Sequence, residues 1–213
     1  MVRTEQMTFE ELGIDTHIIE KLNEEGITEP TEVQSESIPV IKDGKDVMVE
    51  SETGSGKTFA FSLPIIEAVE GDRTQALILS PTRELAKQIA AEIDKVADDT
   101  VETVTIYGGV SYDPQIEGAK TANIVVGTPG RTLDLLKQKK LDVSSIEFFV
   151  LDEADRMLDM GFQDELEAII DFIPQYRQNL LFGATIPHDL KELCEKYSID
   201  PETIRIKSER QTR

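Results

Sequence analysis

The chain has 213 residues, 39% of them apolar, enough to bury one large core or two small ones, and we expect one open α/β domain. It has one cysteine, no signal-peptide pattern and no apolar run near the roughly 18 residues of a membrane span, so we predict a soluble, cytoplasmic protein. The formal net charge of −20 argues against broad, non-specific binding of nucleic acid, although it allows a small site built from helix N-termini and a few arginines.

The first predicted helix spans residues 15–25, and a second, short helix should end near Pro39. Between them, Thr31 is followed three residues later by Gln34. This spacing is typical of a capping box, in which each side chain bonds the other residue's backbone N–H at a helix start. The residue pattern alone therefore favours a capping role for Gln34.

A glycine-bearing loop connects the next predicted strand, over residues 46–50, to a helix that begins near Phe59. The loop reads Ser51-Glu52-Thr53-Gly54-Ser55-Gly56-Lys57-Thr58. In such a unit, backbone N–H groups and the helix N-terminus bind phosphate, the lysine reaches the β- and γ-phosphates, and the last hydroxyl faces Mg²⁺. We predict these two roles for Lys57 and Thr58, with a plain glycine-rich turn as the alternative. The strict pattern begins with glycine, so Ser51 is a departure from it.

Strands and helices alternate along the rest of the chain. The predicted strands cover residues 76–79, 101–106, 123–126, 148–151, 180–182 and 203–206. The predicted helices cover 85–97, a short stretch with Pro114 at its first position, a stretch through 133–137, 166–173 and 190–197. Such repeats with near-continuous apolar strands indicate a mostly parallel sheet with helices on both faces. Ligands of such sheets bind at the carboxyl ends of the strands.

An acidic tetrapeptide, Asp152-Glu153-Ala154-Asp155, follows the apolar strand at 148–151. Downstream of a phosphate loop, a carboxylate in this place would hold Mg²⁺ directly or through water, and we predict this role for Asp152. Glu153 is then placed to orient or deprotonate the attacking water, and hydrolysis needs no covalent intermediate. The alternative is an exposed acidic turn, which is frequent after a strand.

With these motifs in this order, residues 9–206 resemble the N-terminal RecA-like domain of a DEAD-box ATP-dependent RNA helicase. The tetrapeptide at 152–155 matches the motif that names the family. The loop at 51–58 matches the family's phosphate loop, in which alanine usually stands in the place of Ser51. The resemblance implies a RecA-like three-layer sandwich, ATP and Mg²⁺ as cofactors, and RNA as a partner. It also implies an adenine-recognition segment at 1–40, a helicase domain at 41–207, and at 208–213 the start of a linker to a second RecA-like domain.

By the same resemblance, residues 26–34 form the segment that recognises adenine. Gln34 would hydrogen-bond the adenine edge in a bidentate pattern, Phe9 would stack on the ring, and Thr31 belongs to the same segment. This implication reverses the preference for capping at Gln34, although both roles can coexist.

Three further loops resemble the RNA-backbone contacts of the family: Pro81-Thr82-Arg83, Gly108-Gly109 and Thr128-Pro129-Gly130-Arg131. Two of them open helices, whose N–H groups can bind phosphate oxygens, and Gly109 permits close backbone approach. Arginines add charge without reading base edges, so binding should not depend on RNA sequence. For Arg83 a structural salt bridge is an equal alternative, and each loop alone also fits an ordinary turn or helix start.

One tripeptide departs from the family pattern, because Gly183-Ala184-Thr185 stands where Ser-Ala-Thr is usual. In the family this motif is associated with coupling of hydrolysis to strand separation. The missing hydroxyl removes a potential hydrogen bond toward Asp155, typically worth about 0.5–1.5 kcal/mol. We hypothesise that coupling is weakened but survives through Thr185 and backbone groups.

We therefore predict an RNA-stimulated ATPase that separates short RNA duplexes, represented here by its N-terminal domain. Nothing in the sequence resembles the arginine-rich motif of the second domain, so this piece alone should bind ATP weakly, hydrolyse it very slowly and unwind nothing. The alternative is an ATP-gated RNA clamp or ribonucleoprotein assembly platform without productive unwinding. An unrelated phosphate-loop ATPase is disfavoured, because the remaining loops would then be coincidences.

Overall fold

The structure, a computed structural model, describes residues 7–52, 56–197 and 201–206. The strands in these ranges are β1 (Val47–Glu50), β2 (Ala76–Leu79), β3 (Thr103–Ile106), β4 (Ile124–Gly127), β5 (Phe148–Leu151), β6 (Gln178–Gly183) and β7 (Glu202–Arg205). They form one sheet in the order β3-β4-β2-β5-β6-β1-β7, and every neighbouring pair is parallel. The predicted parallel α/β architecture is thereby confirmed.

Helices connect these strands across both faces of the sheet. They are α1 (Thr16–Glu24), α2 (Glu32–Lys42), α3 (Lys57–Ala68), α4 (Arg83–Val96), α5 (Tyr112–Ala119), α6 (Pro129–Lys137), α7 (Ala154–Asp159), α8 (Gln163–Phe172) and α9 (His188–Tyr197). None of the helices in the described ranges is long and apolar enough to cross a membrane.

Alternating side chains of the strands separate two hydrophobic cores. In β2, Ala76 and Ile78 contribute to the core beneath α1 to α4, whereas Leu77 and Leu79 contribute to the core beneath α5 to α9. Successive residues of a strand point to opposite faces, so a strand covered on both sides must be apolar throughout. The result is the predicted three-layer sandwich of helices, sheet and helices.

Two helix boundaries differ from the predictions. Helix α2 continues through Pro39 to Lys42, with Ile38 and Ile41 buried on either side of the proline. An internal proline costs about 3 kcal/mol, which burial of two isoleucines at about 1.5–3 kcal/mol each offsets. Helix α5 begins at Tyr112, so Pro114 is its third residue and not its first. A proline costs no hydrogen bond there, because N–H groups of a first turn lack helical partners.

The predicted domain boundaries remain predictions. The division after residue 40 falls within α2, and side chains on both sides of it, such as Phe9 and Val47, belong to the same hydrophobic core. The predicted linker at 208–213 lies outside the described residues.

The carboxyl ends of the parallel strands bring the predicted motifs to one edge of the sheet. Hydrogen bonding continues past the strand ends, where the N–H of Ser51 donates to the carbonyl of Gly183 at 2.8 Å and that of Asp152 donates to Leu79 at 2.9 Å. The phosphate loop, the acidic tetrapeptide and the Gly-Ala-Thr tripeptide therefore follow the neighbouring strands β1, β5 and β6.

Candidate functional site

A cavity of about 340 Å³ lies at this edge, between the start of α3 and the end of β5. Seven of the predicted site residues line it: Thr31, Gln34, Gly56, Lys57, Thr58, Asp152 and Glu153. The sequence predicted these side chains for one nucleotide site, and the structure brings them together around one space.

The phosphate loop leads into α3 through a glycine that no other residue could easily replace. Gly56 has a φ of +87° and is the N-cap of α3, so Lys57 and Thr58 occupy the first helical turn. A Cβ at Gly56 would lie 2.7 Å from Gln34 Nε2 and 2.8 Å from Thr31 Oγ1. The backbone of the phosphate loop at Gly56 therefore contacts the predicted adenine-recognition segment directly, and only glycine leaves room for this contact.

Other residues of the loop have different surroundings. Ser51 is buried with 2% of its surface exposed, and Glu52 is exposed. The predicted ligand residues Thr53, Gly54 and Ser55 lie outside the described residues.

Gln34 forms the capping box that its spacing from Thr31 predicts. Its backbone N–H donates to Thr31 Oγ1 at 3.4 Å, and its Oε1 accepts from the Thr31 N–H at 3.0 Å. Its Nε2 also donates to the carbonyl of Gly56 at 3.1 Å, which ties α2 to the phosphate loop. The side chain is 2% exposed, so adenine recognition by Gln34, which stays a prediction, would have to use its remaining hydrogen-bonding capacity.

Phe9 does not lie at the cavity. Its ring is 1% exposed and packs in the core beneath α1 to α4. Stacking on an adenine ring would require the side chain to leave this packing, and the role implied by resemblance stays a prediction.

Buried charges of opposite sign give the cavity its electrostatic character. Burial lowers the pKa of Lys57, whereas the negative charges of Asp152, Glu153, Asp155 and Glu52 act to raise it. Burial raises the pKa of Asp152 to about 7, against the opposing effect of the Lys57 charge. A buried carboxyl group is neutral more readily than an exposed one unless a cation compensates it. The donor set of ammonium, hydroxyl and carboxylates fits a magnesium-bound triphosphate.

Glu153 has a left-handed backbone conformation, with φ +52° and ψ 47°, at the N-cap of α7. Such a conformation is uncommon for a residue other than glycine and typically costs about 1–3 kcal/mol. The Glu153 N–H donates to Asp152 Oδ1 at 3.0 Å, and Arg156 Nη1 lies 3.4 Å from Glu153 Oε2. Strain of this kind clusters at functional sites, which agrees with a chemical role for Glu153.

Asp155 contacts the Gly-Ala-Thr tripeptide that follows β6. Its Oδ2 accepts from the Thr185 N–H at 3.1 Å and from the Thr185 hydroxyl at 3.3 Å. A Cβ at Gly183 would lie 2.9 Å from both Asp155 Oδ1 and the Thr185 carbonyl. Glycine at position 183 lacks the serine hydroxyl, and it also lacks a Cβ. The absence of the Cβ allows the Asp155 carboxylate to approach this loop closely.

The three loops predicted to contact RNA lie after β2, β3 and β4, on neighbouring strands of the same edge. Arg83 is exposed, its guanidinium lies 4.8 Å from the centre of the Tyr107 ring, and the described residues provide it with no ion pair. The salt bridge that the sequence left open for Arg83 is therefore not found in the described ranges. Thr82 caps α4, its Oγ1 accepting from the Leu85 N–H at 3.2 Å.

Arg131 is more constrained than Arg83. Its guanidinium lies 3.8 Å from the centre of the Tyr112 ring and donates to Gln115 Oε1 at 3.1 Å and to the Val110 carbonyl at 3.0 Å. The backbone positions beside it are open, since a Cβ at Gly108, Gly109 or Gly130 would meet nothing within 4 Å. Pro81 and Pro129 are buried and Thr128 is half-buried, so the proline rings pack inward beneath these loops.

The model of the DEAD/DEAH box helicase family matches residues 31–193 of this chain. The chain belongs to the DEAD/DEAH box helicases. A DEAD box protein from the hyperthermophile Methanococcus jannaschii has a similar solved structure, with a TM-score of 0.92 and 39% identity over 95% of this chain and 57% of that one. This similarity confirms the RecA-like fold.

Curated DEAD/DEAH box relatives are longer than this chain. The ATP-dependent RNA helicase CshA of Listeria monocytogenes is 43% identical over 208 residues, which are 96% of this chain and 40% of that protein. The RNA helicase CrhR of Synechocystis is 41% identical over 216 residues, which cover 100% of this chain and 44% of that protein. The chain therefore spans less than half the length of these relatives.

Four of the cavity residues that the sequence did not predict belong to a single helix of this DEAD/DEAH box chain: Leu85, Gln88, Ile89 and Glu92. They lie on one face of α4, the helix that begins at the Pro-Thr-Arg loop. Gln88, Ile89 and Glu92 follow Leu85 by three, four and seven residues, so all four lie on one face of the helix. A carboxylate, Glu92, on the same face as Leu85 and Ile89 was the signal in the sequence that could have identified them. The charge of Glu92 also contributes to raising the pKa of Asp152.

Proposed function

We propose that this chain binds ATP with Mg²⁺ in the cavity between Lys57 and Asp152 and hydrolyses it as part of an ATP-dependent RNA helicase. The observation that carries the proposal is the convergence of Lys57, Thr58, Asp152 and Glu153 on one cavity, with Gln34 in its wall. Family membership supports it, because the similar proteins of Listeria and Synechocystis are named RNA helicases.

The roles of the residues follow from their chemistry. Lys57, at the start of α3, would bind the β- and γ-phosphate oxygens together with the N–H groups of the first turn. The Thr58 hydroxyl and the Asp152 carboxylate would hold Mg²⁺, which when bound neutralises negative charge on the phosphates. Glu153 would orient or deprotonate the attacking water, and its strained backbone donates its N–H to Asp152 Oδ1 at 3.0 Å.

The adjacent edge of the sheet supports RNA as the second ligand. The start of α4 at Arg83, the open Gly108-Gly109 turn and the start of α6 at Pro129 would contact the sugar–phosphate backbone without reading bases. Helix α4 joins the two sites physically, because Thr82 and Arg83 begin it and Glu92 lines the nucleotide cavity.

The whole helicase would need a second RecA-like domain to complete the site. We propose that the intact protein contains one, because the similar helicases are more than twice as long as the aligned region. An arginine supplied across the cleft contributes about 10³–10⁵ in rate in related phosphoryl-transfer systems, so this chain alone should turn over ATP very slowly. The cytoplasmic location stays a prediction.

A second candidate function is an ATP-gated RNA clamp, which holds RNA without separating strands. Gly183 supports the clamp as a candidate, because glycine has no hydroxyl with which to bind Asp155. In the Gly-Ala-Thr tripeptide, Thr185 provides the hydrogen bonds to Asp155 that the structure shows. A strand-displacement assay on the two-domain protein separates the candidates. A helicase releases the displaced strand in the presence of ATP, whereas a clamp retains RNA and releases none.

The proposed nucleotide site is tested by titrating this chain with ATP and GTP, with and without Mg²⁺. We expect ATP to bind at least about tenfold more tightly than GTP, because a site that hydrogen-bonds one base edge leaves groups unpaired with the other. Gln34→Glu should abolish this preference, since it retains the Oε1 acceptor for the Thr31 N–H and removes the Nε2 donor.

Thr31→Ser is the matched control for that titration, because it keeps the capping hydroxyl and should keep the ATP preference. Equal affinity of the unaltered chain for ATP and GTP would contradict the adenine assignment. Binding that is unaffected by Mg²⁺ would contradict the proposed metal site at Thr58 and Asp152.

A further inference from the structure

The end of helix α6 carries the most positive stretch of an otherwise acidic chain. Residues 135–141 contain three lysines and no acidic residue, although the formal net charge of the chain is −20. No other seven-residue stretch of the sequence has so large a positive charge. We refer to Lys137, Lys139 and Lys140 as the lysine cluster. A polyanion meets less electrostatic repulsion there than elsewhere on an acidic surface.

The ammonium groups of the lysine cluster are available for a ligand. All three side chains are exposed, and within the described residues none of them forms an ion pair or a hydrogen bond. Other lysines of the chain are neutralised by carboxylates. Lys42, Lys45 and Lys120, for example, lie 2.9–3.1 Å from a glutamate oxygen.

Backbone hydrogen bonds hold the lysine cluster in one arrangement. The N–H of Lys139 donates to the Leu136 carbonyl at 3.1 Å, and that of Lys140 donates to Leu135 at 2.9 Å. These are the two bonds of a Schellman motif, which ends a helix. Leu135, Leu136 and Leu141 are buried in the core. The cluster is thus attached to packed structure on both sides, which lowers the entropic cost of binding a ligand.

The backbone conformation of Lys139 is unfavourable for a lysine. Its φ is +57°, at the position of the motif where glycine is usual because it has no Cβ. In the part of the chain that the structure describes, Glu153 of the nucleotide cavity is the only other non-glycine residue with a positive φ. Cations stabilise a helix C-terminus, but a left-handed lysine is less stable than glycine. Helix stability therefore does not account for the lysine at position 139.

Helix α6 connects the lysine cluster to the proposed RNA edge. It begins at Pro129, directly after β4, and at 1.5 Å per residue Lys137 lies about 12 Å from this start. A stacked nucleic-acid strand has one phosphate about every 3.4 Å. About four nucleotides beyond the edge therefore span the distance to the lysine cluster.

The middle of α6 is less suited to a phosphate than its two ends. Asp134 lies between them, and its carboxylate accepts from the Tyr112 hydroxyl and from Gln138 Nε2, the latter at 3.1 Å. The hydrogen bond from Tyr112 lowers the pKa of Asp134, so this carboxylate stays negative. A strand that follows α6 would therefore contact the start of the helix and the lysine cluster, and not the turn between them.

We propose that the lysine cluster is a second RNA-backbone site, which binds phosphates of the strand that passes the start of α6. The inference rests on the proposed RNA-binding function and extends it, since no sequence motif pointed to these lysines. Ammonium groups bind phosphates as point charges and read no base edges, so this site should not depend on RNA sequence.

The salt dependence of binding to oligouridylates of two lengths tests the proposal. At about 3.4 Å per nucleotide, an RNA of about 15 nucleotides reaches both sites, whereas one of about 6 nucleotides bound at the edge does not. Replacing Lys137, Lys139 and Lys140 together by glutamine should reduce the slope of log affinity against log salt by about 2 for the longer RNA, at about 0.7 for each lost contact. The slope for the shorter RNA should not change.

A second triple variant controls for net charge. Lys45→Gln, Arg73→Gln and Lys95→Gln together remove the same charge from positions outside α6. This variant should bind the longer RNA with the slope of the unaltered chain. An unchanged slope after loss of the lysine cluster, or an equal loss of slope in the control, would overturn the inference.

Lys139→Gly separates RNA binding from stability. Glycine relieves the left-handed strain, so the midpoint of urea unfolding should rise, whereas the slope for the longer RNA should fall by about 0.7. A variant that is more stable and has the unaltered slope would show that Lys139 does not bind RNA. A lower midpoint would also count against the inference, because lysine would then be suited to this conformation.

Failure of this inference can be distinguished from failure of the proposed RNA function. If the unaltered chain binds both oligouridylates with the same slope, RNA binds at the edge and not at the lysine cluster. If the chain binds neither oligouridylate at any salt concentration, both proposals are wrong.

Discussion

The nucleotide cavity and the RNA edge lie at the same end of one sheet, yet they are built in different ways. At the cavity, Lys57 and Asp152 are buried, and the backbone of Gly56 packs directly on Gln34 and Thr31. At the RNA edge, Arg83 is exposed and lies against an aromatic ring, beside glycines with open surroundings. The cavity therefore depends on close packing and burial of charge, whereas the edge presents exposed side chains and open backbone. Substitutions should accordingly affect protein stability in the first region and ligand binding in the second.

The largest effect on stability is expected at Gly56. Alanine there would be strained at φ +87° and would place its Cβ 2.7 Å from Gln34 Nε2. Left-handed strain and overpacking together should lower the free energy of unfolding by about 4 kcal/mol. Gly44→Ala is the matched control, since Gly44 has a φ of +81° with nothing within 4 Å. It should cost only about 1.5 kcal/mol, and equal losses in urea titrations of both variants would show that packing at Gly56 is unimportant.

Burial of Asp152 predicts a distinctive pH dependence of stability. Its pKa is about 7 in the fold and 3.8 as an ordinary value, so the neutral form is favoured by folding. This contribution is complete at low pH and is lost as the pH rises from about 4 to 7. Between about pH 5 and pH 8, the unaltered chain should lose about 3 kcal/mol of unfolding free energy relative to Asp152→Asn, whose side chain does not titrate. Parallel pH profiles of the two proteins would mean that Asp152 is not desolvated.

A smaller effect on stability is expected at Gly127, where the RNA edge joins the packed sheet. A Cβ there would lie 2.3 Å from Thr132 Oγ1 and 3.2 Å from the Ile106 carbonyl, so Gly127→Ala should cost about 2 kcal/mol by overpacking. Gly130, three residues on, has open surroundings, and Gly130→Ala should change the unfolding free energy by no more than about 0.5 kcal/mol. Thermal unfolding measures both. Weakened RNA binding by the stable Gly130→Ala variant would mark the position where RNA approaches the backbone.

Among the closely packed glycines, the smallest effect is expected at Gly183, beside the cavity. Gly183→Ser restores the residue usual in the family, but its Cβ would lie 2.9 Å from Asp155 Oδ1 and from the Thr185 carbonyl. We expect a loss of about 1 kcal/mol in unfolding free energy, because the contact between Asp155 and Thr185 must widen to admit the side chain. A stability equal to or above that of the unaltered chain would show that the serine hydroxyl bonds Asp155 without displacing the loop.

The sequence predicted the parts of this molecule that follow from local patterns. Continuous apolar strands such as 148–151 and the capping pair Thr31 and Gln34 specify their own structure, and the structure has them as predicted. Pro39 misled the prediction, because a proline rule describes local hydrogen bonding, whereas burial of residues distant in the chain decides whether the helix continues. Local rules cannot include that energy.

The same limit applies to the candidate site. The motif residues Lys57 and Asp152 could be identified because each follows a strand in a characteristic order. The approach of Glu92 to the cavity and the engagement of Arg131 by Tyr112 depend on how α4 and α6 pack on the sheet. A motif identifies which residue is present, whereas packing decides which atoms of that residue remain free to bind a ligand.

A double-mutant cycle on Mg²⁺-dependent ATP binding tests most directly whether Lys57 and Asp152 bind one metal–phosphate cluster. Calorimetric affinities are measured for the unaltered chain, Lys57→Gln, Asp152→Asn and the double variant, after circular dichroism has shown that all four are folded. We predict that each single change weakens binding about a hundredfold and that the double variant is weaker by clearly less than the product of the two. Independent, multiplicative losses, or affinity that neither change reduces, would contradict the account.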